Sequence, residues 1–114
     1  MNSDCLFCKI IDGKIPADIV HEDDQVLAFK DISPQAPFHS LIIPKIHINT
    51  INNLDTSHQT LLGHILLTAK KIAVDNGLSE PGYRLIMNCN EDGGQTVFHI
   101  HIHILGGRPL IGFG

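Results

Sequence analysis

No stretch of this 114-residue chain approaches the roughly 20 apolar residues that cross a bilayer, so no membrane-spanning helix is expected. Basic residues are in deficit. Eight Lys and Arg against twelve Asp and Glu leave a net charge of −4, which gives no general attraction to nucleic acid or to an anionic membrane. An anionic ligand would therefore have to be held by local donors. Cysteine is scarce and odd in number: three residues, Cys5, Cys8 and Cys89, argue against a closed disulfide framework and agree with a reducing cytoplasm. The opening Met1-Asn2-Ser3-Asp4 lacks the basic and apolar segments of a secretory signal. Internal repeats and low-complexity segments are missing too. A single cytoplasmic domain spanning residues 1–114 is the expectation, since 43% apolar and 18% charged residues suit an ordinary globular protein of this size.

What is present is a chain with more strand signals than helix signals. Residues 5–12 suggest a short amphipathic helix stopped by Gly13. Two short strands are expected at 19–22 and 25–30, with Asp23-Asp24 at their turn, and a third over 40–44, closed by Pro44. Between them, Pro34 and Pro37 mark a loop, because proline restricts the backbone and removes a ladder donor. The apolar spacing of Leu61, Leu62, Ile65, Leu66, Ala69, Ile72 and Ala73 predicts a long helix over 57–76. Thr56 and Gln59 would supply its capping box, and Gly77 its stop. Two late strands, 83–89 and 97–105, are joined by the turn-forming segment Asn90 to Gly94. A mainly antiparallel α+β sheet of about five strands follows, with one long and one short helix.

The most informative segment is Phe98 to Leu105, which reads Phe-His-Ile-His-Ile-His-Ile-Leu. On a strand, alternate side chains share a face, so His99, His101 and His103 would project together, about 6–7 Å apart. Ile100, Ile102 and Ile104 would pack beneath the long helix, at ~1.5–3 kcal/mol each. Imidazole titrates near neutrality, which suits proton transfer, nucleophilic attack and metal binding. A wet strand face needs no histidine, so three in alternation point to a site. Gly93-Gly94 and Gly106-Gly107 flank the run and permit close backbone approach, and Gln95 and Thr96 could present N–H groups and a hydroxyl to a phosphate.

These residues carry a family resemblance. His99 to Leu105 resembles the alternating signature of the histidine triad (HIT) superfamily. Asp31 to His39, Ile43 to His47 and Gly93 to His99 resemble its histidine-triad nucleotide-binding branch, and the likeness runs from about Cys5 through Arg108. It implies a HIT-like fold, a homodimer whose sheet continues across the subunits, and hydrolysis of purine nucleoside 5′-phosphoramidates with an AMP-like product. By the same resemblance His101 is the nucleophile that forms a nucleotidyl-histidine intermediate. His103 bonds a phosphoryl oxygen or the leaving group, Thr96 assists departure of the amine, and His39 and His99 orient the nucleophile and relay protons. Asp31 would accept the ribose hydroxyls, Ile32, Phe7 and Leu41 would line the base slot, and Asn88 and Gln95 would lie near the phosphate.

No cofactor is implied for catalysis. Cys5-x-x-Cys8 has structural zinc spacing, and His47 and His99 would complete a Cys2His2 set that resembles an arrangement in some bacterial members of the superfamily. Phe98 and Ile46 stand where this branch commonly has tyrosine and lysine. His21, His58 and His64 have no motif context and are expected on the surface. The rival readings are a non-catalytic nucleotide-binding or regulatory protein, a three-histidine metalloenzyme, and a dinucleoside polyphosphate hydrolase. Neither nucleic acid nor membrane is an expected partner.

Overall fold

The computed structural model describes residues 4–113. Its centre is one antiparallel sheet of five strands: β1 (Ile19–Glu22), β2 (Val26–Lys30), β3 (Phe38–Pro44), β4 (Tyr83–Ile86) and β5 (Ile102–Gly106), in the order β1-β2-β3-β5-β4. The short helix α1 (Leu6–Ile11) and the long helix α2 (Gln59–Asp75) cover opposite faces. The period-2 alternation of the strands produces two cores. Val26, Ala28, Ile42, Ile102 and Ile104 meet Ile65, Ala69, Ile72 and Ala73 of α2. Leu27, Phe29, Leu41 and Ile43 meet Cys5, Phe7 and Cys8 around α1. The α+β class and the pairing of isoleucines with the long helix are as expected for Ile102 and Ile104.

Element ends depart from the sequence reading in instructive ways. The capping box lies one residue earlier than expected and ahead of the helix: Asp55 accepts from the Ser57 N–H at 2.8 Å, and His58 Nδ1 accepts from the Asp55 N–H at 3.0 Å, while α2 itself starts at Gln59 with no side-chain cap from His58. That exchange closes a 3-10 turn over Thr56–His58, so Thr56 is not the cap. The strand expected over 97–105 begins only at Ile102. In the β3–β5 register Ile42 faces Ile102, so Ile100 would face Pro44, which has no N–H to give. The Ile100 N–H donates instead to the Ile48 carbonyl at 2.8 Å, and residues 97–101 leave the ladder. The strand expected over 83–89 likewise stops at Ile86.

Two glycine pairs serve the fold at close quarters. Gly107, at φ +95°, would place a Cβ 2.8 Å from Pro37 Cβ, so it lets the chain end of β5 touch the proline loop. A Cβ on Gly93 would lie 2.4 Å from the Cys89 carbonyl oxygen, inside the turn that leads to the histidines. Neither observation involves a ligand, and each accounts for its glycine by chain packing alone.

Candidate active site

Strands β3 and β5 bring the central histidines together. The register pairs His39 with Leu105 and Leu41 with His103, so His39 and His103 lie diagonally across two adjacent strands. Their rings sit 5.2 Å apart, and His39 Nε2 is 2.9 Å from His103 Nδ1. The His101 and His103 rings are 5.0 Å apart, and the Phe7 ring meets His101 edge-on at 5.1 Å. A cavity of about 300 Å³ opens here, lined by Phe7, Leu41, Val97 and Ile32 on its apolar walls and by Asp31, Thr96, His101 and His103 on its polar side. Ile32 is 97% exposed and stands at the rim, whereas Phe7 and Leu41 are buried walls.

The proton on each ring can be assigned from its partners. His101 Nδ1 lies 2.8 Å from the His99 carbonyl oxygen, which can only accept, so Nδ1 carries the hydrogen and Nε2 keeps its lone pair. His39 Nδ1 accepts from the Gln35 N–H at 3.0 Å, so its hydrogen is on Nε2 and donates to His103 Nδ1. That bond leaves His103 with an Nε2–H, a donor at the edge of the cavity. One neutral nitrogen nucleophile therefore stands beside one neutral hydrogen-bond donor.

Burial favours the uncharged form of all three rings. Burial pushes His103 down to about 4, aided by the neighbouring His101 and His39, and the Asp31 carboxylate only partly offsets it. Burial also lowers His39 and His101, against the opposing pull of Asp31 in both and of the His99 carbonyl in His101. Asp31 holds the preceding loop as well: its Oδ1 accepts from the Ser33 N–H at 2.7 Å, and its Oδ2 is 3.5 Å from His39 Nε2.

His99 departs from the expected common face. It is fully buried, and its ring points away from the cavity, because residues 97–101 have left the ladder. Its Nε2–H donates to the Pro44 carbonyl at 2.8 Å, so Nδ1 keeps a lone pair, 3.4 Å from Cys5 Sγ and 3.6 Å from Cys8 Sγ. His47 does the same from the other side: Nε2 donates to Asn49 Oδ1 at 2.5 Å, and Nδ1 lies 3.2 Å from Cys8 Sγ. The four donor atoms fall within 4.8 Å of one another. Tetrahedral zinc with ordinary bond lengths needs sulfur and nitrogen ligands about 3.6 Å apart, so this donor set fits the ion. The hydrogen bonds behind both imidazoles are those that orient metal-ligating histidines.

The remaining expected residues divide. Asn88 donates to the Gly93 carbonyl at 2.6 Å and lines a second cavity that also reaches His39 and His103. Gln95 is not placed as a nucleotide contact. Its amide oxygen Oε1 accepts from the Asn90 N–H and its amide nitrogen Nε2 donates to the Asn49 and Val97 carbonyls, so the side chain braces the loop. The backbone N–H groups of Gly94 and Gln95 are engaged by Glu91 and Asn90 carbonyls, not left open to a phosphate. Two histidines without motif context prove to be structural: His21 and His64 both reach Asp23 Oδ2, at 2.9 and 2.8 Å, clasping the first hairpin to α2. Sequence reasoning missed the part that the Gln35 backbone N–H plays in fixing the His39 tautomer, because that signal lies in neither residue type nor spacing.

The chain matches a family model described as "Scavenger mRNA decapping enzyme C-term binding" over residues 4–109. It is 56% identical over 110 residues to the purine nucleoside phosphoramidase of Escherichia coli K12, covering 96% of this chain and 92% of that protein. A HIT family hydrolase from Legionella pneumophila Philadelphia 1 superposes with TM-score 0.94 at 58% identity, covering 95% of this chain and 96% of its own. A histidine triad protein from Clostridium difficile superposes with TM-score 0.96 at 43% identity, over 100% and 99% of the two chains.

Proposed function

The chain belongs to the histidine triad superfamily, and from that premise we propose that it is a purine nucleoside phosphoramidase working through a nucleotidyl-histidine intermediate. The observation that carries the reading is the His101 ring, anchored by Nδ1–H on the His99 carbonyl with its Nε2 lone pair in the cavity beside the His103 donor. Neutral imidazole is a competent nucleophile at cellular pH. His101 Nε2 bonds to the α-phosphorus, the P–N bond breaks, and the amine departs with both bonding electrons and one proton drawn from water. Water then attacks the phosphorus, releasing AMP, a neutral His101 and a proton. Thr96 contributes an exposed hydroxyl for the proton exchange. His103 Nε2–H meets the charge that grows on a phosphoryl oxygen, where a fixed donor lowers the barrier by several kcal/mol.

The nucleoside takes the apolar part of the same cavity, its base against Phe7, Leu41 and Ile32 and its ribose hydroxyls on Asp31. Zinc on Cys5, Cys8, His47 and His99 is part of this proposal. It would tie α1 to the segment whose carbonyl anchors His101, and it would take no part in the bond-making step. The homodimer also belongs here. Strand β4 is an edge of the sheet, and its Leu85 and Ile86, with Met87 just beyond its end, join Leu62 and Leu66 of α2 in an apolar hollow of about 400 Å³ that a second copy would cover. The decisive experiment is a quench of adenosine 5′-phosphoramidate turnover followed by mass mapping. A nucleotidyl group on His101, and no hydrolysis by His101→Ala, is the expected result. Unimpaired hydrolysis by that variant refutes the assignment.

A further inference from the structure

Cys5 and Cys8 flank a wall of the nucleoside cavity within one turn of chain, Cys5 as the N-cap of α1 and Cys8 in its first turn. Between them lies Phe7, whose ring meets His101 edge-on at 5.1 Å and His99 at 5.9 Å. Three residues along a helical turn set Cα atoms about 5 Å apart, inside the span of roughly 4.4–6.8 Å that a disulfide bridges. The side chains already converge. Cys5 Sγ accepts from the Cys8 N–H at 3.3 Å, and the two sulfurs lie 3.4 and 3.6 Å from His99 Nδ1. Neither cysteine is in a disulfide. Both are buried, yet Cys5 and His47 line a cavity of about 380 Å³ whose other walls include Thr96, Val97 and the half-exposed Phe98. A molecule the size of hydrogen peroxide fits there easily. Thr96 and Val97 also line the nucleoside cavity, so the two spaces share a wall.

We propose that Cys5 and Cys8 are a reversible redox switch: hydrogen peroxide turns the zinc-binding pair into a disulfide, the cysteines let the ion go, and the nucleotide site loses its support. The proposal rests on the zinc and phosphoramidase readings and names a regulation of that site. Cys5 Sγ attacks one peroxide oxygen, the O–O bond breaks, and the other oxygen leaves as hydroxide and becomes water by taking a proton. Cys8 Sγ then attacks the sulfenic sulfur of Cys5, and a second hydroxide leaves and is protonated. Two thiolates have lost two electrons in all, and one peroxide with two protons has become two waters. Thiolate is the form of cysteine that binds metal, so the disulfide no longer holds zinc against His47 and His99. Helix α1 is then untied from residues 97–101. Phe7 and the His99 carbonyl that anchors His101 lose their fixed spacing.

The test takes the zinc-loaded native chain, and Cys89→Ser to remove the third thiol, through a titration with hydrogen peroxide stopped by catalase. Zinc released to a chromogenic chelator, thiols of the denatured protein, peptide masses and kcat/KM for adenosine 5′-phosphoramidate are followed together. One zinc and two thiols should disappear in step, with a Cys5–Cys8 disulfide in the mapped peptides. In the same samples kcat/KM should fall by roughly tenfold, the scale of losing a support behind a functional histidine. Dithiothreitol with zinc should restore all four readouts. Cys8→His keeps four donors and cannot form the disulfide, so it should hold its zinc and its rate under the same peroxide. Zinc and thiols that both survive, sulfinic acid in place of the disulfide, or a disulfide with kcat/KM unchanged overturns the switch, as does a chain that takes up no zinc. A chain with no hydrolysis before peroxide overturns the phosphoramidase reading, and its affinity for AMP before and after peroxide then decides the switch.

Discussion

The neutrality of the histidine cluster has a measurable consequence in the acid limb of the rate profile. An imidazole in water titrates near 6.5, so at pH 5.5 about nine rings in ten would be charged and unable to serve as they do here. Burial takes His103 down to about 4, and at that value only about 3 in 100 are charged at pH 5.5. The sign is clear: a lowered value keeps the ring neutral to a lower pH, so activity is lost only as pH falls through the folded value. Because His39, His101 and His103 are in mutual contact, the profile reports the cluster and not one ring. We expect kcat/KM for adenosine 5′-phosphoramidate at pH 5.5 to stay within about twofold of its value at pH 7.5, against about a tenfold loss for ordinary imidazoles. The measurement is an initial-rate series from pH 4.5 to 8, corrected for hydrolysis without enzyme. Asp31 supplies a second sign, since its carboxylate raises all three rings. Asp31→Asn should therefore move the acid limb to lower pH. A limb centred near 6.5 in the native protein, or one that moves upward in Asp31→Asn, refutes this electrostatic account.

Asp31→Asn should also raise KM by roughly tenfold with a smaller change in kcat, because hydrogen bonds to ribose act alike on ground and transition states; steady-state kinetics showing a loss confined to kcat would contradict the ribose role. Cys8→Ser should abolish stoichiometric zinc, read by elemental analysis, and lower the thermal midpoint by several degrees. If the native protein carries no zinc and a strong chelator leaves its melting curve unmoved, the four-residue cluster is not a metal centre.

Much of the site could be read from the chain before any coordinates. The alternation of Ile102 and Ile104 with His101 and His103 fixed which side would face α2, and the structure packs both isoleucines against that helix. The Cys5-x-x-Cys8 spacing, together with His47 and His99, named four donors that do converge. Where the reading failed, a longer-range partner was the cause. His99 follows the same alternation as its neighbours in sequence, yet it turns inward, because the ladder ends where Pro44 has no N–H to offer and the Pro44 carbonyl takes the His99 ring instead. Gln95 carried the right motif context for a phosphate contact, but its amide is engaged by three backbone groups of its own loop and of residue 49.

The sequence by itself determined which residue types were at hand and which neighbours in the chain would share a side, since both follow from covalent order and the period of the backbone. Tertiary structure alone decided which nitrogen of each imidazole carries its proton, because that depends on carbonyls and amides brought in from other segments: His99 for His101, and Gln35 for His39 and through it His103. It also decided that Arg84 and Arg108, 24 positions apart, stand beside one cavity with no carboxylate between them. Charge placement of that kind is a property of the fold, set by distances that no local pattern encodes.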